Sequence, residues 1–302
     1  MSRKKISPAR QPAGAVARRL VAEQLTLVAR RVNKAVKAPL DQPEPVHKVR
    51  VATRRARAAL ELFAPLLPPK KADWFLKRLR KLRKAADEAR NLDVFSQRMQ
   101  AQGVQLPDVV AKLVSKRRER AQTPLIKQHE RLSAGKRWQK KQRALVAEIG
   151  KPKAAMELAK QPLKQFAPRA LEPLTREFLA ALAMKERSAA QLHQLRIAGK
   201  KLRYAIELLA PGLPKRLSKS TLSHLEKMQA TLGDLNDLAT AADLVGALAK
   251  DAKKRAARQW LKAQRKRERA SFSEARLKFL RSWTPPQRQK WQKSFKRVLQ
   301  ET

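Results

Sequence analysis

The chain has 302 residues, and 71 lysines and arginines against 25 acidic residues give it a formal net charge of +46. A charge of this size predicts a polyanionic partner, either nucleic acid, polyphosphate or an anionic membrane surface. The chain has no cysteine, which excludes disulfides, thiolate metal sites and cysteine nucleophiles and is typical of a reducing compartment. Strong helix formers dominate and aromatic residues make up only 5%, so we predict an all-α protein.

Prolines and glycines divide the chain into predicted segments. Residues 1–14 are predicted to be a basic, disordered tail that lacks the apolar core of a secretion signal. Residues 15–150 form a first helical half and residues 151–285 a second, each with four amphipathic helices. A loose connection between the halves extends to Pro168, and residues 286–302 form a short amphipathic C-terminal tail. No apolar run approaches the roughly 18 residues of a spanning helix, so no membrane span is predicted.

One stretch occurs twice and is the most informative pattern in the sequence. The first copy runs from His47 to Pro65 and the second from His193 to Pro211, a separation of 193 − 47 = 146 residues without a gap. A repeat this long, at half the chain length, predicts two similar halves rather than a short-period solenoid.

Both copies place their charged residues on one face of a predicted helix. The first charged face carries His47, Arg50, Arg54, Arg57 and Glu61, and the second carries His193, Arg196, Lys200, Arg203 and Glu207. The opposite, apolar faces carry Val49, Ala52, Ala56, Ala59, Leu60 and Phe63, and Leu195, Ala198, Leu202, Ala205, Ile206 and Leu209. Any amphipathic helix of a basic chain has cations on its polar face. Identical offsets in two copies nevertheless favour a ligand whose regular negative charge offsets the repulsion between these cations.

The two copies resemble the signature helices of the CHAD family, the conserved histidine α-helical domain. The resemblance spans most of residues 15–285. Arg90-Asn91-Leu92-Asp93 is similar to the family's Arg-Asp-x-Asp helix ending, and Gly233-Asp234-Leu235-Asn236-Asp237 is similar to its second version. Asn91 stands where the family usually has Asp and Asn236 where it usually has Arg; both positions are interpreted as structural. The resemblance implies two four-helix bundles related by a pseudo-two-fold axis, which bind inorganic polyphosphate in a shared basic groove without catalysis.

The spacing of the cations suits such a ligand, because residues three or four apart on a helix lie about 5 Å from each other. Arginine can also offer a forked pair of donors to phosphate oxygens. The predicted polyphosphate-binding residues are His47, Arg50, Arg54, Arg55, Arg57, Lys81, His193, Arg196, Lys200, Lys201, Arg203 and Lys227. Additional candidates at matched positions of other helices are Arg30, Arg120, Arg176 and Arg269.

Three further expectations concern individual groups of the site. Glu61 and Glu207 are expected to orient arginines by ion pairing rather than to take part in catalysis. The two histidines are expected to gain protons beside a polyanion, so that binding tightens below about pH 6.5. The cationic run from Lys116 to Arg120 is interpreted as a solvated face, and Arg118→Ala is expected to affect binding little.

The residues around the histidines predict a binding protein rather than an enzyme. No His-x3-His pair or carboxylate cluster accompanies either histidine, which disfavours a metal site, and no nucleophile accompanies them. CHAD domains often accompany a triphosphatase-type tunnel domain marked by Glu-x-Glu-x-Lys, and this motif does not occur in the chain. We therefore predict no catalytic residue, no metal and no cofactor, in a stand-alone protein of undetermined oligomeric state.

The favoured hypothesis is a phosin-like protein that binds polyphosphate on cytoplasmic granules, with non-specific nucleic acid as a second partner. The alternative is a basic helical protein that binds DNA or RNA, although few aromatic residues are present for base stacking. A phosphotransfer enzyme or hydrolase is a third alternative, but the sequence lacks the metal-binding pattern expected of one.

Overall fold

A computed structural model of the chain describes residues 7–184 and 188–300. Over these residues the regular structure is helical and contains no strand, which confirms the all-α prediction. The first helices are α1 (Ala13–Lys37), α2 (Glu44–Leu62), α3 (Pro69–Ala85), α4 (Asp87–Ala101), α5 (Asp108–Arg120), α6 (Thr123–Ser133) and α7 (Arg137–Val146). They are followed by α8 (Met156–Lys160), α9 (Leu163–Ala183), α10 (Ala189–Leu209), α11 (Lys215–Asp251), α12 (Arg255–Ser282) and α13 (Pro285–Gln300).

The two repeated stretches are the helices α2 and α10, and their predicted apolar faces are buried. All six apolar residues of each predicted face belong to the hydrophobic core. Helix α2 packs against α1 and α3, and α10 packs against α9 and α11. Burial of a side chain such as Leu60 or Leu202 stabilises the fold by about 1.5–3 kcal/mol. This packing fixes which face of each helix remains for the charged residues.

The segments interpreted as helix endings lie inside helices, so that interpretation is wrong. Helix α3 stops at Ala85, and Ala86, with φ −96° and ψ −3°, separates it from α4. Arg90 and Asp93 therefore lie in the first half of a new helix. In the second half, α11 is a single helix of 37 residues that runs through Asp234 and Asp237 without interruption.

The structure has more helices in the first half than the four that were predicted. Ala121 and Gln122 interrupt the predicted helix after residue 108, so that α5 and α6 are separate. A pseudo-two-fold relation between the halves stays a prediction.

The prediction of a disordered N-terminal tail is wrong for residues 7–14. A short 3-10 helix (Pro8–Arg10) precedes α1, and Pro12 forms a β-bridge with Pro162. The amide of Ala13 donates to the carbonyl of Gln161 at 2.8 Å, and the amide of Leu163 donates to the carbonyl of Gln11 at 2.8 Å. These bonds join the start of the first half to the start of the second. Residues 1–6 lie outside the described residues.

The predicted loose connection and the predicted C-terminal tail are also more ordered than expected. Helix α9 begins at Leu163 and contains Pro168 and Pro173, whose missing amide hydrogens remove two intrahelical bonds. Burial of apolar side chains along α9 compensates for that loss. Helix α13 packs against α9, where the rings of Phe295 and Phe178 lie 4.8 Å apart between centroids. Residues 285–300 are thus a packed helix of the domain.

Candidate anion-binding site

A cavity of about 160 Å³ lies where four helices of the two halves meet. Its walls are formed by His47, Arg50 and Arg54 of α2, Arg90, Asn91, Val94 and Phe95 of α4, Arg196 and Lys200 of α10, and Asn236, Asp237, Thr240 and Ala241 of α11. Helix α2 contacts α10, and α4 contacts α11, so each half contributes two walls. The two repeated helices therefore share one cavity.

Positive charge in the cavity exceeds the negative charge that faces it. Four arginines and one lysine line the cavity, against the single lining carboxylate of Asp237. Arg50 has a partner, because its Nη2 lies 3.3 Å from Oδ1 of Asp87. The Nε atoms of Arg54 and Arg196 are buried and have no hydrogen-bond partner among the described residues. A buried donor without a partner costs about 1–3 kcal/mol, so both arginines have unsatisfied hydrogen-bonding groups in the ligand-free protein.

Burial and mutual repulsion make Lys200 the most perturbed of these cations. Burial, and then the charges of Arg196 and Arg54, lower the pKa of Lys200 from 10.5 to about 7. Burial also lowers the pKa of the Arg50, Arg90 and Arg196 guanidinium groups, which stay protonated at physiological pH all the same. An anion in the cavity would stabilise the protonated form of Lys200 and raise its pKa.

The two histidines of the repeat are placed differently. His47 is half-buried and lines the cavity, and burial followed by the charge of Arg90 lowers its pKa. It is therefore mainly neutral at pH 7 in the ligand-free protein, with one ring nitrogen free to donate a hydrogen bond. His193 is exposed and lies outside the cavity walls. The matched spacing of the histidines in sequence does not give them matched positions at this cavity.

Several other cations that were predicted to bind the ligand form ion pairs with carboxylates of the protein. Arg55 Nη2 and Arg203 Nε lie 3.0 Å and 3.3 Å from the two oxygens of Glu207, and both guanidinium groups lie over the ring of Tyr204, at 6.0 Å and 5.3 Å. Because Arg55 is on α2 and Glu207 on α10, their ion pair ties the two helices together. Arg57 donates to Glu61 at 2.7 Å.

The remaining candidates lie away from the cavity. Lys201 donates to Glu177 at 2.8 Å, and Arg176 donates to Glu172 at 2.5 Å. Three further candidates are exposed and do not line the cavity, namely Arg30, Lys227 and Arg269. Lys81 and Arg120 line a separate groove on the outside of the protein.

The polar residues of α4 and α11 were missed as residues of the cavity, and the structural interpretation of Asn91 and Asn236 stays a prediction. Asn91 and Asn236 line the cavity, as do Arg90 and Asp237. The repeat offset of 146 residues could have identified them, because it relates Arg90 to Asn236 (90 + 146 = 236) and Asn91 to Asp237 (91 + 146 = 237). A polar pair at matched positions of both halves pointed to a shared function for these residues.

Arg118 belongs to the interior and not to a solvated face. Only 7% of it is exposed, and its Nε donates to Oδ1 of the buried Asp93 at 2.6 Å. Its Nη1 donates to Gln122, whose amide in turn donates to the carbonyl of Ala35 at 2.7 Å. This network connects α4, α5 and α1. It thereby holds the α4 wall of the cavity in position.

The fold and the site together define an all-helical protein in which a repeated pair of helices, one from each half, frames a half-buried cluster of cations. The sequence model of the CHAD domain family matches residues 19–246, and the chain therefore belongs to the CHAD family. The predicted membership is thus confirmed. No curated protein has a significant match to the sequence.

Two solved structures resemble the chain. The crystal structure of the CHAD domain from the plant Ricinus communis is 25% identical, aligns over 89% of this chain and 92% of that one, and has a TM-score of 0.65. PptA from Streptomyces chartreusis is 17% identical, aligns over 90% of this chain and 99% of that one, and has a TM-score of 0.56. At that lower identity the likeness shows the fold alone.

Two further properties concern the residues that the structure describes. Over 7–184 and 188–300, no helix combines the length and the apolar character needed to cross a membrane. In the same part of the chain, no three or more histidine, aspartate and glutamate side chains come together in an arrangement that could hold a metal ion.

Proposed function

We propose that the protein binds inorganic polyphosphate and holds part of the chain in the cavity between α2 and α10. The observation that carries this proposal is the unbalanced charge of the cavity, where five cations face one carboxylate and buried guanidinium nitrogens of Arg54 and Arg196 lack partners. Polyphosphate carries negative charge along its whole length and offers only acceptor oxygens. It therefore complements a site built from donors.

The residues of the cavity would each make a different kind of contact with the ligand. Arg54 and Arg196 would each present a forked pair of donors to phosphate oxygens from opposite helices. Lys200 would take up a proton as the anion enters and act as a point charge. His47 would donate one hydrogen bond in its neutral form. The charge of Asp237 counteracts part of the lowering of the pKa of Arg90 and Arg196 that burial causes.

The size of the cavity favours polyphosphate over nucleic acid as its occupant. A narrow phosphate chain can enter a cavity of about 160 Å³. A DNA duplex, whose major groove alone is about 12 Å wide, is too large for it and requires an exposed surface. Nucleic acid could reach only cations on the outside of the protein.

We further propose that binding is not coupled to hydrolysis and that the protein is a phosin-like component of cytoplasmic polyphosphate granules. Among the carboxylates that the structure describes, only Asp237 lines the cavity, and its electrostatic neighbours include the guanidinium groups of Arg90 and Arg196. One carboxylate does not supply both the acid and the base that hydrolysis would use. The proposal predicts no release of phosphate from polyphosphate, with or without divalent metal ions.

Calorimetric titration of purified protein with polyphosphate tests the binding proposal. Arg54→Gln and Arg196→Gln should each weaken binding by at least ~1 kcal/mol, the lower range for charge-assisted hydrogen bonds. Lys262→Gln, an exposed lysine of α12 outside the cavity walls, serves as the matched control and should change affinity little. Duplex DNA added at about 0.15 M salt should compete poorly. Equal losses in all three variants, or equal competition by DNA, would argue for diffuse charge and the nucleic-acid alternative.

A further inference from the structure

Lys200 stands at the one position where the charged faces of the two repeated helices differ. The histidine, the glutamate and two arginines of each face match, but the middle cation is Arg54 on α2 and Lys200 on α10, with 54 + 146 = 200. Both side chains supply positive charge. Only the lysine can release its proton near neutral pH and become a nucleophile, because a guanidinium stays protonated. The lysine therefore gives the cavity a chemical property that a second arginine would not.

The amino group of Lys200 lies among cations. It is half-buried, and it forms no hydrogen bond or ion pair with any residue that the structure describes. The charges that act on it come from three helices, namely Arg54 of α2, Arg196 and Arg203 of α10, and Asp237 of α11. Further positive or titratable groups line the same cavity, namely His47 and Arg50 of α2 and Arg90 of α4. Lys200 thus has cations around it and one carboxylate that partly offsets them.

The surroundings of Lys200 favour its neutral form. Val94, Phe95 and Ala241 form an apolar part of the cavity wall. Burial, and then the neighbouring cations, lower the pKa of Lys200 to about 7. At about pH 7.4 roughly two thirds of this side chain is therefore a free amine, whereas an exposed lysine with a pKa of about 10.4 is deprotonated only on the order of one part in a thousand.

We propose that Lys200 is a modification site at which the amine adds carbon dioxide and forms a carbamate held by Arg54 and Arg196. The lone pair of Nζ attacks the carbon of CO₂, an N–C bond forms, and the electron pair of one C=O π bond moves onto oxygen. Nζ then releases a proton to the solvent. No atom is oxidised or reduced, and the side chain becomes an anion.

The cavity complements the product of this reaction. Arg54 and Arg196 line it from opposite helices, and the buried Nε atom of each has no hydrogen-bond partner among the described residues. Guanidinium groups donate well to carboxylate oxygens, and a carbamate presents two such oxygens. Carbon dioxide is small and uncharged, so it can enter a cavity of about 160 Å³ with a partly apolar wall. Acylation of the same amine would give a neutral amide and leave the charges of the arginines unbalanced, which favours carbon dioxide as the reagent.

Carbamate formation and polyphosphate binding should exclude each other. The carbamate would occupy the donors of Arg54 and Arg196 and repel an incoming phosphate. A bound polyanion would in turn keep Lys200 protonated and remove the nucleophile. This consequence rests on the proposed function, whereas the formation of the carbamate does not.

The experiment exposes the full chain to ¹³C-labelled bicarbonate and carbon dioxide at about pH 8. Carbon-13 NMR detects the carbamate, and alkylation with a trialkyloxonium salt followed by mass spectrometry of peptides locates it. The variants are Lys200→Arg, Arg54→Gln and the control Lys262→Arg, which changes an exposed lysine of α12 outside the cavity walls. Circular dichroism checks that each variant is folded.

The carbamate resonance should appear in the unmodified protein and in Lys262→Arg, and it should be absent from Lys200→Arg. In Arg54→Gln, which keeps the lysine, it should be weaker by about fivefold or more, because a donor to the carbamate and a charge that favours the free amine are both lost. Excess polyphosphate should abolish the resonance. In calorimetric titrations at constant ionic strength, bicarbonate with carbon dioxide should weaken polyphosphate binding several-fold in the unmodified protein and much less in Lys200→Arg.

Several outcomes would overturn the inference. These are a missing resonance in the unmodified protein, a resonance that persists in Lys200→Arg, and an undiminished resonance in Arg54→Gln. Equal weakening of polyphosphate binding in the unmodified protein and Lys200→Arg, with no trapped carbamate, would show that bicarbonate binds only as a non-covalent anion. If Lys200→Arg did not fold, peptide mapping and Arg54→Gln would decide. A carbamate on Lys200 in a protein that did not bind polyphosphate would support the modification and refute the proposed function.

Discussion

Arg54 of α2 and Arg196 of α10 face the same cavity from opposite halves of the chain, and they repel each other. Burial is the main cause of the lowered pKa of Arg196, and the charge of Arg54 adds to it. The Nε atom of each is buried without a hydrogen-bond partner. The ligand-free protein thus holds two like charges in a position that is unfavourable until an anion enters.

This repulsion predicts that a variant with weaker binding is a more stable protein. Arg54→Gln removes one half-buried charge and the repulsion it causes, so the free energy of unfolding of the ligand-free protein should rise by about 0.5–1 kcal/mol. Urea denaturation monitored by circular dichroism measures this change, with Lys262→Gln as the control. Adding polyphosphate should stabilise the unmodified protein more than the variant. A clear loss of stability in Arg54→Gln would mean that this arginine holds the fold together.

Lys200 should give polyphosphate binding a characteristic pH dependence. Its pKa in the ligand-free protein is about 7, and a bound anion raises that pKa, so binding takes up a proton between about pH 7 and the raised pKa. Affinity should therefore be highest below pH 7 and fall as the pH rises, by several-fold at about pH 8.5. Calorimetry in buffers of different ionisation enthalpy detects the proton uptake directly.

The variant Lys200→Arg keeps the charge at all of these pH values and should remove this dependence above pH 7. Titration of the phosphate ligand itself affects both proteins equally and cancels in the comparison. A pH profile that is the same in both proteins would show that Lys200 is not the titrating group. The lowered pKa of His47 places its own contribution at a lower pH than the sequence alone predicts.

The two histidines of the repeat should differ in their effect on binding. His47→Gln removes a donor from the cavity wall and should weaken polyphosphate binding by about 0.5–1.5 kcal/mol. His193→Gln changes an exposed residue outside that wall and should leave affinity nearly unchanged. Both variants can be compared in a single titration series. Equal losses would imply that the ligand also reaches the exposed end of α10.

Arg118 should matter for stability far more than an exposed neighbour does. Arg118→Ala leaves the carboxylate of the buried Asp93 without its main partner, which costs about 3–5 kcal/mol for a buried pair. Arg117→Ala breaks two ion pairs with largely exposed carboxylates and should cost about 1 kcal/mol or less. Thermal denaturation of the two variants provides the comparison. Similar losses in both would mean that the network around Arg118 does not hold α4 in position.

The sequence predicted the parts of the fold that depend on local periodicity. The apolar faces of α2 and α10 follow from helical spacing alone, and the repeat offset identified these helices as a pair. Arg50 and Arg54 were predicted to share one face of α2, and Arg196 and Lys200 one face of α10, because helical spacing fixes which side chains point the same way. The shared groove between the two faces was implied by the family resemblance, and all four residues line one cavity.

The rest depended on contacts between distant parts of the chain. Arg55 was predicted to bind the ligand, but a carboxylate on another helix, Glu207, occupies it. His193 matches His47 in spacing yet lies outside the cavity, since position along a helix does not determine what packs against it. A break at Ala86 separates α3 from α4, whose Arg90 lines the cavity, and no strong local signal marks that break.

The backbone hydrogen bonds between Gln11 and Leu163 and between Ala13 and Gln161 would be lost if the chain were cut into its two halves. They join segments about 150 residues apart, at the points where each half begins its first long helix. A gene split near codon 150 would therefore yield two fragments, each with an unsatisfied backbone edge and an exposed apolar surface. Such fragments should reassemble when they are co-expressed and should be poorly soluble when each is expressed alone.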